Sequence, residues 1–306
     1  MSISRRNLIK WTAGASLVAG GHWSHLLAGQ GPAIMTTIPS SGQQVPAIGI
    51  GTVKFRGDPG SAETQIFRET LDIFHRAGGR VVDTSPNYGN SEDVLGYLMK
   101  DLGIRDKLFI ATKVDREDKD DGVERMDSSM QRLGGDHIDL MQVHNLRGTD
   151  IQLNTMQAWK AEGRIRHVGI TTHTSRQYEE FEASMRKHKL DFIQVNYSLA
   201  DRGANERILP LARDNGVAVL VNRPFGKGSL FQAVGDSPLP DWAADIDANS
   251  WGQVFLKYVV SHPAATIPIP GTSKPHHARD NMGALYGRLP DQNLRAEMER
   301  FMDALL

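Results

Sequence analysis

Cysteine is absent from all 306 residues, which excludes disulfide frameworks, thiolate nucleophiles and cysteine-ligated zinc or iron–sulfur centres together. An excess of one charge is also missing. The 35 Lys and Arg against 36 Asp and Glu leave a net −1, so neither nucleic acid nor an anionic membrane is implied as the main partner. No Gly-x-Ser-x-Gly elbow and no phosphate-binding P-loop occurs. The pairs His276-His277 and His22-x-x-His25 lack a third ligand at suitable spacing, and no metal is expected. What remains, at 40% hydrophobic and 23% charged residues, is the composition of an ordinary soluble globular protein.

Acidic residues are missing from the start of the chain. Residues 1–33 carry Arg5, Arg6 and Lys10, and the first acid is Asp58. Ser4-Arg5-Arg6-Asn7-Leu8-Ile9-Lys10 precedes a mildly apolar Gly/Ala-rich run over 11–28, the order of an export signal. Gly14, Gly20, Gly21, His22 and His25 interrupt that run, so it reads poorly as a spanning helix of about 20 apolar residues. It resembles a twin-arginine signal, which implies the twin-arginine export machinery as a partner and a periplasmic or exported location, membrane-anchored if the signal stays uncleaved. The organisation expected is a signal over 1–33, a lead-in linker over 34–44 and one domain over 45–306.

Within that domain eight short apolar or β-branched runs recur, at 47–52, 80–85, 108–114, 138–144, 165–172, 192–198, 217–224 and 266–271. They start about 25 to 33 residues apart, the size of a strand and helix unit, apart from one extra segment over 225–250. Between them lie amphipathic helices: Ile66, Leu71 and Phe74 before the Gly78-Gly79 stop, and Ser91 as N-cap ahead of Val94, Leu95, Leu98 and Leu102. A last helix is expected over 294–306. Strands apolar throughout suit a parallel sheet covered by helices. Eight units predict an α/β fold, a single-domain (β/α)₈ TIM barrel. The competing doubly wound sheet normally carries Gly-x-Gly-x-x-Gly after its first strand, and Gly49-Ile50-Gly51-Thr52-Val53-Lys54 fails at the third glycine.

In such a barrel, active sites are built where strands end. Asp83 ends the second run, Tyr88 follows in its loop, Lys113 ends the third and His144 the fourth. Each has an ordinary structural role when taken alone. Together they are the parts of a proton donor: a phenol of pKa about 10, an ammonium expected to lower that value, a carboxylate to hold the ammonium, and a histidine to fix the oxygen that receives the proton. The run 115–121, five acids against Arg116 and Lys119, reads as a solvated loop beside the mouth that would repel anionic substrates.

From about residue 45 onward the chain resembles the aldo-keto reductases. The resemblance is carried by Asp83-Thr84-Ser85-Pro86-Asn87-Tyr88-Gly89-Asn90-Ser91-Glu92, Ala111-Thr112-Lys113-Val114, Arg132-Leu133-Gly134, the run 138–145 and Val168-Gly169-Ile170. It implies an oxidoreductase that reduces a small aldehyde or ketone with NADP(H), NAD(H) being the less favoured cofactor, and a catalytic tetrad Asp83, Tyr88, Lys113 and His144 with Tyr88 as acid. It also implies cofactor contacts from Gly51 and Thr52, from Thr171 and Thr172 in the Ser-Asn positions that bind the carboxamide, and from Gln194. In the stretch Asn222-Arg223-Pro224-Phe225-Gly226, Asn222 stands where an aromatic ring is usual, and Arg223 with Lys227 is placed to serve the pyrophosphate. Thr272, Ser273, Lys274, Arg279 and Asn281 match the adenosine and 2′-phosphate segment. There Gly271 replaces a frequent Lys and His277 a common Arg. The short loop after His144 predicts a shallow, broadly specific pocket. The alternative is a nicotinamide-binding regulatory module with slow turnover, like the potassium-channel β subunits of the family.

Overall fold

The computed structural model describes residues 31–306, so the twin-arginine segment lies almost wholly outside the described residues. The first described elements are β1 (Met35–Thr37) and β2 (Gln44–Pro46), an antiparallel pair in which Thr36 faces Val45. Residues 34–44 are therefore not a linker. The Pro39-Ser40-Ser41-Gly42 stretch turns the chain back, and Ile38 and Val45 pack, 0% and 3% exposed, into the cluster of Val81, Phe109, Leu140, Phe192 and Ile267. Most of those residues begin their strands, so the hairpin closes the N-terminal end of the fold.

Eight parallel strands follow: β3 (Ile50–Gly51), β4 (Val81–Asp83), β5 (Phe109–Val114), β6 (Ile138–Val143), β7 (Ile165–Thr171), β8 (Phe192–Asn196), β9 (Ala218–Asn222) and β10 (Thr266–Pro268). Each of the eight runs read from sequence holds one strand, shortened at the ends. Sequential strands pair all the way round. The ring is completed where the Gly49 and Gly51 amides donate to the carbonyls of Pro268 and Pro270, each at 3.0 Å, and Gly51 pairs with Gly271. A Cβ on Gly51 would lie 3.1 Å from the Ile269 carbonyl oxygen, so this close approach of backbones favours glycine. The result is the (β/α)₈ barrel in one domain.

The helices alternate with the strands: α1 (Gln65–Arg76), α2 (Ser91–Leu102), α3 (Lys119–Leu133), α4 (Thr149–Ala161), α5 (Tyr178–Lys187), α6 (Ile208–Asp214), α7 (Ser229–Val234), α8 (Trp251–Val260), α9 (Pro275–Gly283) and α10 (Gln292–Asp303). Helix α1 buries Leu71, Ile73 and Phe74 but leaves Ile66 43% exposed, against the expected apolar face. Ser91 is not the cap of α2. Asn90 precedes the helix, and the Ser91 hydroxyl is buried where it donates to Thr52 across the barrel mouth. The final helix begins at Gln292 because the Asp291 carboxylate accepts from the Leu294 amide at 2.9 Å.

The acidic run is solvated from Glu117 to Asp121, as expected, but it is not all loop, since its second half opens α3 and only Asp115 is buried. Asp118 caps α3 by accepting from the amides of Asp120 and Asp121, which then sit in its first turn, where the helix dipole favours negative charge. Asp115 is 9% exposed and pairs with Arg116 at 2.6 Å. Among the described residues, no helix is long and apolar enough to cross a membrane.

Candidate active site

At the C-terminal ends of the strands opens a cleft of about 690 Å³, lined by all four residues expected to do chemistry, Asp83, Tyr88, Lys113 and His144. Strand register brings the first two charges together. Asp83 on β4 pairs with Ala111 on β5, and Lys113 lies two residues further on the same face. Lys113 is 1% exposed and donates to both Asp83 oxygens at 2.8 Å and to the Thr84 carbonyl at 2.7 Å, which uses its three hydrogens. Its ammonium sits 5.2 Å from the centre of the Tyr88 ring, and the His144 ring stands edge-on to that ring, 6.4 Å centre to centre.

Burial pushes Lys113 toward its neutral form, but Asp83 and then Tyr88 outweigh it, so the ammonium is held above its ordinary pKa. Burial raises the Asp83 carboxyl, with Lys113 opposing. For Tyr88 the expected direction is reversed. Burial is the largest influence and raises the phenol; Lys113 lowers it, Asp83 raises it again, and the net shift is upward. The resting tyrosine therefore keeps its proton, and the ammonium beside it acts by stabilising phenolate as that proton leaves. Burial, followed by Lys113, lowers His144 to about 4, so it is neutral at pH 7.

His144 directly follows β6 and opens a tight turn, with Asn145 and Leu146 both in the left-handed region at φ 54° and 60°. Side chains hold that turn: Thr171 Oγ1 accepts from the Asn145 amide at 3.0 Å, and Gln177 Nε2 donates to the Asn145 carbonyl at 3.0 Å. Only residues 144–148 separate β6 from α4, as the short-loop reading expects. Beyond His144 the cleft adjoins a second recess of about 510 Å³, bordered by Asn87, Asp115 and Arg147 among others.

The expected cofactor residues divide. Gly51, Thr52, Thr171, Gln194, Asn222, Arg223, Pro224 and Phe225 line the cleft; Gly226 and Thr172 do not. Thr172 is 0% exposed and its hydroxyl donates to Gln177 Oε1 at 2.7 Å, so it supports the loop rather than facing a ligand. Asn222 takes over polar work in place of a ring: Gln194 Nε2 donates to its Oδ1, and its own Nδ2 donates to the Thr172 carbonyl at 3.3 Å. Gln194 Oε1 is left buried without a protein partner. A carboxamide N–H₂ seated against β8 would satisfy that acceptor, so the cleft fits a nicotinamide. The loop 223–228 places Arg223, Gly226, Lys227 and Gly228 at positive φ, a concentration of uncommon backbone typical of ligand-binding turns.

Thr272, Ser273, Lys274, His277, Arg279 and Asn281 lie beyond the cleft wall. Asn281 Nδ2 donates to Thr272 Oγ1 at 2.9 Å, holding the turn into α9, while Lys274, His277 and Arg279 are exposed around the start of that helix. Sequence reasoning missed Lys54, Asn145, His173 and Phe231, all on the cleft wall. Asn145 adjoins His144 and His173 follows the Thr171-Thr172 pair, so their place next to strand ends was a usable signal. No group of three or more His, Asp or Glu able to hold a metal occurs among the described residues.

Comparison with known proteins identifies the family and the fold. The profile of the Aldo/keto reductase family matches residues 47–299. The NADH-specific methylglyoxal reductase of Escherichia coli is 27% identical over 303 residues, covering 80% of this chain and 91% of that protein. An aldo-keto reductase of Schizosaccharomyces pombe, named for NADP(+), is 24% identical over 298 residues, covering 82% and 87%. A Klebsiella pneumoniae aldo/keto reductase solved with NADP and acetate superposes with a TM-score of 0.73 at 25% identity, covering 87% of this chain and 95% of its own.

Proposed function

Because the chain belongs to the aldo/keto reductase family, we propose that it reduces a small aldehyde or ketone to an alcohol, with NADPH as hydride donor and Tyr88 as proton donor. One observation carries this reading: a protonated Tyr88 shares the cleft with a neutral His144 and with an ammonium that is itself fixed by a buried carboxylate. The bound cofactor supplies hydride to the carbonyl carbon. The chain's own residues do the rest. His144, kept neutral by burial, donates a hydrogen bond to the carbonyl oxygen. Tyr88 gives that oxygen its proton, and Lys113 stabilises the phenolate left behind. Asp83 prevents Lys113 from losing its charge in a buried site.

NADP(H) is preferred to NAD(H) on two grounds: Lys274, His277 and Arg279 cluster where a 2′-phosphate would lie, and the Klebsiella pneumoniae relative was solved with NADP. The Escherichia coli relative's NADH specificity makes this a point for measurement. Following NADPH oxidation across a panel of aldehydes for wild type and Tyr88→Phe tests the reading, which expects loss of turnover in the variant. Equal rates in both proteins would remove Tyr88 from the chemistry. The second reading, a nicotinamide-binding module with slow turnover, draws on Asn222, which offers no ring to stack on the nicotinamide; cofactor retained with no turnover on any aldehyde would favour it.

The Ser4-Arg5-Arg6 segment supports a further proposal, export through the twin-arginine machinery to the periplasm. Cell fractionation of wild type and an Arg5→Lys, Arg6→Lys double variant tests it. Retention of both proteins in the cytoplasm would discard the signal.

A further inference from the structure

We propose that Asn87, set by Asp115 and Arg125, is a positioning residue that selects the Nε2–H tautomer of His144. The proposal rests on the reading above, in which His144 donates to the substrate oxygen. Two groups approach His144 Nδ1, the Ser85 hydroxyl and the Asn87 side-chain nitrogen, both at 3.4 Å. The hydroxyl can donate or accept, so Ser85 tolerates either tautomer. An amide NH₂ can only donate.

Which end of the Asn87 carboxamide faces the histidine is decided by charge. Its nitrogen donates to Asp115 Oδ2 at 2.6 Å and its oxygen accepts from Arg125 at 2.6 Å. Rotating the amide by half a turn would set its oxygen against a carboxylate and its NH₂ against a guanidinium. Asp115 is in turn held by Arg116 at 2.6 Å and lies 3.6 Å from the Arg125 Nε. One Asn87 hydrogen is thereby committed to Asp115, and the other is directed at Nδ1.

A donor at Nδ1 requires a lone pair there, which places the ring hydrogen of the neutral imidazole on Nε2. His144 is itself on the cleft wall with Tyr88, and that hydrogen is the one available to a carbonyl oxygen. The opposite tautomer would present a lone pair to the substrate oxygen, a repulsive contact where a donor is needed. Asn87 touches neither the reacting atoms nor the cofactor residues, so its effect passes through His144. The network joins the loop after β4, the end of β5 and helix α3, three parts of the chain that have no other reason to share these groups.

The test uses the full chain, ¹⁵N-labelled, and reads the His144 tautomer at pH 7 from long-range ¹H–¹⁵N correlation spectra, alongside kinetics with NADPH and benzaldehyde. In wild type the Nε2–H form predominates. Asn87→Leu, which keeps the size and removes the donor, is expected to lose that predominance and to lower kcat about tenfold with KM for NADPH unchanged, less than the ~10² that removing a whole oxyanion donor costs. Asn87→Asp, which replaces the donor by an acceptor that Arg125 can still hold, is expected to move the hydrogen to Nδ1. It also keeps the test in force if the leucine variant does not fold. An unchanged tautomer in the variants overturns the proposal. If the tautomer responds as expected but wild type turns over no aldehyde, the positioning role stands and the reductase reading falls.

Discussion

Gln194 on β8, a residue of the cleft wall, donates its Nε2 hydrogen to the Asn222 Oδ1 on the neighbouring strand β9 across 2.8 Å, and its Oε1 is left buried without a protein partner. In the proposed site, Asn222 would act on the carboxamide end of a nicotinamide by fixing Gln194, where an aromatic ring would act on its face. Asn222→Ala frees Gln194 to rotate and leaves a buried donor unmet. A loss of about 1 kcal/mol, roughly fivefold in NADPH affinity, is expected, read from a fluorescence titration of the cofactor. An unaltered affinity would remove Asn222 from the cofactor site.

Lys113 and Asp83 form a buried ion pair, each side chain no more than 3% exposed. Lys113→Met leaves an uncompensated carboxylate in the barrel, which costs about 3–5 kcal/mol. Thermal or urea unfolding reports this loss, and the double variant Asp83→Asn, Lys113→Met recovers much of it while remaining inactive. A fully stable single variant would show that water or movement relieves Asp83.

Two half-buried histidines make stability fall in mild acid. Burial, followed by Arg295 and Arg213, lowers His262 to about 4 from the ordinary 6.5, and His144 is lowered to about the same value. Between those pH values the unfolded chain binds protons that the native state refuses, so stability is complete above about 6.5 and declines as pH falls toward 4. Geometry agrees: His262 Nδ1 accepts from the Ala264 amide at 3.0 Å, a bond that protonation would break. His262 is not among the residues that line the cleft, and the drop in Tm from pH 7 to pH 5 is expected to be smaller in His262→Gln than in wild type.

Lys274 directly precedes α9 and is exposed, in the segment proposed to hold a 2′-phosphate. Lys274→Ala is expected to raise KM for NADPH about tenfold, in the range of a lost charge-assisted hydrogen bond, with KM for NADH unchanged. Steady-state kinetics with both cofactors decides it, and an equal rise for both would assign Lys274 to general cofactor electrostatics.

The barrel was legible because strands buried on both faces must be apolar along their whole length, and helices between them must carry a stripe. The tetrad was legible because residues at successive strand ends are forced onto one rim. Other features depended on distant partners. Ser91 resembles a cap until Thr52 claims its hydroxyl, and Asp115 resembles a solvated acid until Asn87, 28 residues away, and Arg125 surround it. The hairpin at residues 35–46 escaped notice because its strands are three residues each and its buried side chains, Ile38 and Val45, are too few to make a period. Tyr88 was misjudged in direction for a different reason: charge can be read from residue types, whereas the degree of burial that competes with it cannot.

The joint that completes the barrel has a polarity of its own. Gly49 and Gly51 donate across it, while Pro268 and Pro270 have no N–H with which to answer, so neither proline returns a bond to β3. Gly51 and Gly271, its two sides, are also walls of the cleft. A dinucleotide lying across them would act as a rivet, and occupancy of the site would tighten the cylinder at the joint where its first and last strands meet.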